Sequence, residues 1–228
     1  MSQPSIPPIT EDDIANYLVN TPDFFERHAD LLAAVQLTSP HGHRAVSLQE
    51  RQAEMLREKI RGLELRAAEM IRHGGENTVI ADRLQRWTRQ LLLTRDPRDL
   101  PDVVVREIST ELQVPQVAIR LWDLSPEYAG QPYASGASDD ARTFAGSLAK
   151  PYCGANPGLE AAQWLVQPQA AASLALIPLR SPSGGDVFGL LVLASDDPGR
   201  FVADMGTDFL ERIGELSGAA LSRLLPGG

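Results

Sequence analysis

The apolar positions of this chain follow two different rhythms. Downstream of Ser47, Ala53, Leu56, Ile60, Leu63, Ala67 and Met70 recur at alternating spacings of three and four. This is the a and d pattern of a heptad, sustained over almost three repeats with mostly charged flanks. Ser47 and Glu50 supply the S-x-x-E capping box that starts such a helix. Lys59 at g would face Glu64 at e of a parallel partner, an attractive pair. "HGGEN" at 73–77 then places two glycines in the pattern, at a cost of roughly 2 kcal/mol relative to alanine. The phase nevertheless continues through Gly74, Asn77, Ala81, Leu84, Thr88 and Leu91. The pattern predicts one long helix from Ser47 to about Leu93 with a soft point at the glycines, or two nearly collinear helices. Past the glycines the stripe widens to include Ile80, Trp87 and Leu92, as expected of a helix half that also packs on a domain.

Before this helix, Met1–Ile9 is Pro-rich and reads as a disordered tail. Thr10 and Asp13 form a capping-box pattern ahead of Ile14, Tyr17 and Leu18, and Asn20 closes that helix. Thr21-Pro22-Asp23 starts a second one, with Thr21 as N-cap, Pro22 first and Asp23 on the helix dipole. It carries Phe24, Phe25, Leu31, Leu32 and Val35. "TSPHGHRA" at 38–45 is a loop.

The second rhythm governs the C-terminal part. After the turn "RDPRDLPD" (95–102), Leu100, Val103, Val104, Ile108 and Leu112 mark an amphipathic helix. "VAIRLW" (117–122) is a strand with Arg120 on its open face. Residues 128–138 read as loop with room for one short strand, and 139–148 as a short helix. "KPYCGANPG" (150–158) is a loop, and "LEAAQWLV" (159–166) fits no single template. "ASLALIPLR", "SPSGGD" and "VFGLLVLAS" spell a strand, a turn and a strand, that is, a hairpin. A closing helix follows, with Phe209, Leu210, Ile213, Leu216, Ala220 and Leu224 on one face. The expected class is α+β, with an N-terminal helical region, a coiled-coil-like helix and then an antiparallel sheet flanked by helices. The expected segments are a 1–9 tail, a 10–46 helical segment, a 47–75 coiled-coil-like helix and a 76–228 sheet domain.

Composition narrows the chemistry. A net charge of −9 argues against a general polyanion binder, because non-specific nucleic-acid affinity rests on Lys and Arg. The basic run Arg83, Arg86, Arg89, Arg95 and Arg98 is diluted by Asp82 and Asp96 and reads as a solvated helix face. A single cysteine, Cys153, excludes a disulfide or a Cys-based zinc site within one chain. His41 and His43 form His-x-His without a third ligand nearby, so no metal and no cofactor are expected. The N-terminus lacks a signal-peptide pattern, and no apolar run approaches the ~18 residues of a membrane span, so a cytoplasmic protein is expected.

The order of helices, strands and loop-rich middle resembles that of a GAF domain. Two stretches make a resemblance specific. Phe188-Gly189-Leu190-Leu191, Ser195-Asp196-Asp197-Pro198, Phe201 and Met205-Gly206-Thr207 are similar to the C-terminal signature of the bacterial family known as domain of unknown function four-eight-four. "YLVNTPDFFERHADLL" and "AVSLQERQAEMLRE" are similar to that family's N-terminal segments. The resemblance covers about Ile14 to Leu224, and "HGGEN" is the departure from it. It implies a GAF-like domain with a ligand cavity between sheet and loops, with no reaction or ligand attached. It also implies a gene neighbourhood shared with a site-specific recombinase.

In such a domain the candidate ligand residues are Arg120, Tyr133, Phe144, Tyr152, Cys153 and Trp164, and Arg120 and Arg142 are the candidates for an anionic group. Cys153 as a nucleophile would need a base, and no histidine follows His73. Asp196 and Asp197, followed by Pro198-Gly199, read as a turn with Asx hydrogen bonds. The expectation is a non-enzymatic regulatory or sensor module that binds a small molecule or a protein partner. It would be homodimeric through Leu56, Ile60, Leu63 and Met70, with neither membrane nor direct nucleic-acid binding. The alternatives are a thiol-dependent enzyme using Cys153 and an accessory protein of a recombinase.

Overall fold

The computed structural model describes residues 9–34, 48–182 and 186–227 and divides into two compact units, 1–72 and 73–228. The Ser47 capping box and the His41/His43 pair lie outside the described residues.

In the first unit, α1 (Glu11–Asn20) begins with both halves of the expected capping box: Thr10 Oγ1 accepts the Asp13 N–H at 3.2 Å, and Asp13 accepts the Thr10 N–H at 2.9 Å. The single helix expected after Thr21 is instead two, α2 (Phe24–Arg27) and α3 (Ala29–Ala34). His28 leaves helical geometry at φ −127°, ψ 48° and separates them. The Phe24 ring gathers Tyr17, Phe25 and His28 around it at centroid distances of 5.8, 5.3 and 4.7 Å.

The long helix, α4, runs unbroken from Leu48 to Leu93 and passes through both glycines without a kink residue. Ladder continuity on either side outweighs the modest cost of two glycines.

The second unit is built on a four-stranded antiparallel sheet, β1 (Gln116–Leu121), β2 (Tyr152–Ala155), β3 (Ser173–Arg180) and β4 (Val187–Ser195), in the order β1-β4-β3-β2. The β3–β4 hairpin pairs as its alternating pattern requires. β2 occupies part of the segment expected to be loop, because its four residues between Pro and Gly signals are too few to display a period. No strand forms in 128–138. A single 3₁₀ turn, Pro132–Ala134, lies there instead, and Glu160–Trp164 is likewise 3₁₀.

Alternation sends Ile119, Leu121, Ala175, Ile177, Leu179, Leu191 and Leu193 to one face of the sheet. There they meet α5 (Leu100–Glu111), α7 (Asp208–Leu221) and the end of α4, where Leu84, Trp87 and Leu91 are buried. Leu92, expected on that stripe, points to solvent instead. The opposite face carries Ala118, Trp122, Leu174, Leu176, Leu190 and Val192, covered by α6 (Asp139–Ser147) and the loop segments.

Two glycines decide how closely the layers approach. At the β3–β4 irregularity Leu179 opposes Gly189 while Arg180 opposes Val187, so Phe188 is an extra residue on its strand. Phe188 joins the helix-side core, and a Cβ on Gly189 would stand 2.5 Å from Leu121 Cδ2. On α7, a Cβ on Gly218 would stand 2.3 Å from the Arg180 carbonyl oxygen. The expected apolar face of α7 packs on this core, with Leu210, Ile213 and Leu224 buried and Phe209, Leu216 and Ala220 against it, and Gly214, Ser217, Gly218 and Leu221 are buried beside them.

Polar ties close the ends of these helices. Arg223 donates to the carbonyls of Thr94 and Arg95 at 3.3 and 3.0 Å, satisfying acceptors just past the end of α4. Arg86 pairs with Glu111 of α5 at 2.9 Å, so one arginine of the basic run is already engaged within the chain.

Candidate ligand site

β1 is an end strand, and its outer edge is where the sequence candidates gather. Arg120, on the loop-covered face, lies over the Trp164 ring at 5.9 Å, which holds the long side chain against an aromatic surface. One guanidinium nitrogen, Nη1, donates to the carbonyl of Ile119 at 2.9 Å. Its Nε is buried and has no partner among the described residues. Tyr133, on the Pro132–Ala134 turn, is 6% exposed and packs into the helix-side core, with its hydroxyl unpartnered. The Trp164 indole N–H is also buried and unpartnered.

These three side chains line one cleft of about 520 Å³ at the β1 edge. Among the described residues six buried side-chain polar atoms lack a partner, and three of them border this cleft. Buried donors without acceptors are costly in a folded chain, so their concentration singles this cleft out. Asp96, Asp99 and Asp102 also line the cleft, together with Arg98. Sequence reasoning passed over these aspartates, because "RDPRDLPD" reads first as a turn and helix start. Asp96 does serve there, accepting the Arg98 N–H at 2.9 Å.

Burial shifts the titrating groups. It pulls the Arg120 guanidinium below its ordinary value, and the group still stays charged at neutral pH. It pushes the Tyr133 hydroxyl up, with Tyr128 and Asp102 adding to the effect, so the phenol remains a neutral donor.

The remaining candidates are placed elsewhere. Phe144 and Tyr152 are half-buried and fill the space between sheet and loops. Trp122 donates its indole N–H to the Val187 carbonyl at 2.7 Å, and Arg142 stands over its ring at 5.7 Å, outside the wall of the cleft. Cys153 does not join the cluster. It points to the opposite, helix-side face of the sheet, 7% exposed, because β2 alternates and Tyr152 takes the loop side. Burial raises its thiol pKa, which disfavours the thiolate a nucleophile needs. Asp197 forms the expected Asx turn, accepting the Gly199 N–H at 2.8 Å.

A clamp orders the loops over the sheet. Ser138 caps α6 by accepting the Ala141 N–H at 3.1 Å, and its own N–H and hydroxyl both donate to the Glu160 carboxylate. Those bonds hold Glu160 below the usual carboxylate range and tie α6 to the 3₁₀ segment that carries Trp164.

Among the described residues no group of three His, Cys, Asp or Glu side chains converges to hold a metal ion, and no helix is long and apolar enough to cross a membrane. An α+β domain with a polar cleft at its sheet edge and an extended N-terminal helix is thus the class that fold and site define. The chain belongs to the family described as "Protein of unknown function, DUF484", whose profile matches residues 6–225. No curated protein matches it. Among solved structures it is similar to the GAF domain of a putative sensor histidine kinase from Pseudomonas syringae pv. tomato. That match has 18% identity and a TM-score of 0.45, covering 68% of this chain and 92% of that one. It is also similar to the GAF domain of an Acinetobacter phosphoenolpyruvate-protein phosphotransferase. Here identity is 17% and the TM-score 0.44, covering 63% of this chain and 92% of the other.

Proposed function

We propose that this chain is a non-enzymatic regulatory module that binds a small molecule at the β1 edge and works as a homodimer through its long helix. The observation that carries the binding half is the convergence of Arg120, Tyr133 and Trp164 on one cleft with donors that have no acceptor among the described residues. A volume of about 520 Å³ suits a small molecule, since ligand pockets span roughly 300–1,000 Å³. The dimer half rests on Leu56, Ile60, Leu63 and Met70, which keep the heptad and are all more than half exposed in the single chain. The buried, protonated Cys153 lends a thiol-dependent reaction no support.

Native mass spectrometry of the freshly purified full chain tests both halves. The expected spectrum has twice the chain mass plus a small bound species, and Arg120→Gln loses that species while keeping the dimer. A monomer would remove the dimer half. A bound species that Arg120→Gln retains would move the site away from this cleft.

A further inference from the structure

The lining of the β1-edge cleft combines unpartnered donors with carboxylates, and that combination specifies the ligand more narrowly than size does. Three donors in it have no acceptor among the described residues: Arg120 Nε, the Tyr133 hydroxyl and the Trp164 indole N–H. Arg120 has no carboxylate within ion-pair distance among the described residues, and a half-buried guanidinium without a counter-charge calls for an anionic acceptor. A planar, two-oxygen group such as a carboxylate fits a guanidinium edge flanked by an O–H and an N–H.

A simple anion does not suit the whole cleft. Asp96, Asp99, Asp102 and Arg98 also line it, and including Arg120 the cleft carries three carboxylates to two guanidiniums. Asp102 and Asp96 add to burial in holding the Tyr133 hydroxyl protonated. A multiply charged anion entering past them would be repelled. A metal ion does not resolve the excess, because these carboxylates do not converge as a metal-holding set. An ammonium carried by the same molecule as the carboxylate gives these carboxylates a partner and adds no net charge to the cleft.

We infer that this cleft takes a small zwitterion of the α-amino-acid type. Its carboxylate would rest on Arg120, Tyr133 and Trp164, and its ammonium would face the aspartates, Asp102 foremost. This rests on the reading that the module binds a small molecule at the β1 edge, and it adds the chemical class of that molecule.

Isothermal titration calorimetry on the full chain tests it, using each of the common α-amino acids at up to millimolar concentration. The best binder is then presented as its N-acetyl and its methyl ester derivatives, which keep only the carboxylate or only the ammonium. At least one free amino acid is expected to bind, and each derivative to bind about tenfold more weakly or worse. Arg120→Gln and Asp102→Asn should each weaken the parent amino acid by about tenfold, and Tyr133→Phe, which preserves the buried ring, by a smaller factor. The derivative arm uses the unmodified protein, so it decides the question even if a variant misfolds. Undiminished binding of the N-acetyl derivative would overturn the zwitterion while leaving a small-molecule site. So would binding of acetate, succinate or phosphate in the absence of any amino-acid binding. If neither class binds, both the zwitterion and the small-molecule reading fall.

Discussion

The two halves of α4 carry the same heptad phase and meet opposite fates. In the half within the sheet-bearing unit, Leu84, Trp87 and Leu91 are 3, 0 and 4% exposed. In the half within the first unit, Leu56, Ile60, Leu63 and Met70 are 60, 53, 53 and 73% exposed. A periodic stripe states that a face wants burial, and it does not state who provides it. In the second half the provider is the chain's own core. In the first, no described segment of the chain provides it, and the proposed dimer would supply it from a second copy.

The contrast can be broken at either end. The largest effect is expected from Trp87→Ala, which empties a fully buried indole site and should cost about 3–5 kcal/mol. Chemical denaturation should record this loss in the cooperative unfolding of the sheet unit. Gly218→Ala should follow at roughly 1–3 kcal/mol, because its methyl would collide with the Arg180 carbonyl and push α7 off the sheet. A midpoint unchanged in the same titration would mean the helix yields easily. Ile60→Asp with Leu63→Asp should leave the unfolding of the sheet unit within about 0.5 kcal/mol of the parent. The same pair should turn a dimer into a monomer by light scattering; a dimer that persists would show that the exposed half does not mediate pairing. The smallest effect concerns Glu160. Its carboxylate is held below the ordinary value by Ser138, so its contribution is present above pH 4.5 and is lost as pH falls through the depressed value. Glu160→Gln should therefore lower the melting temperature slightly at neutral pH, with the difference from the parent vanishing in acid. A difference that grows on acidification would contradict the clamp.

Much of this architecture was legible in the sequence wherever a period lasted long enough. α5, α6, β1 and the β3–β4 hairpin fall where their apolar spacing and caps placed them. β2 was missed because Tyr152–Ala155 is short and flanked by loop residues. The apolar face of α7 was legible, but the close approach made by Gly214, Ser217 and Gly218 was not, because hydrophobicity does not weigh small residues. The candidate site was half legible. Arg120, Tyr133 and Trp164 are conspicuous residues, yet they come from a strand and two 3₁₀ turns, and only the fold brings them together. Cys153, a candidate on the sequence, lies away from the cleft because strand parity turns it to the helix side of a strand too short to read. The aspartates of the cleft were hidden by their own local role at the start of α5.

Arg120 has one more consequence, for colloidal behaviour. The Trp122 N–H donates to the Phe188 carbonyl, so alternation turns the amides of Val117, Ile119 and Leu121 away from β4 and outward. An outer strand with free amides is a template on which another chain can extend the sheet. The Arg120 N–H given to the Ile119 carbonyl occupies one of those acceptors and sets a positive charge on the rim. The residue that would greet a ligand therefore also stands where a foreign strand would have to pair, so a change at position 120 bears on self-association as well as on binding.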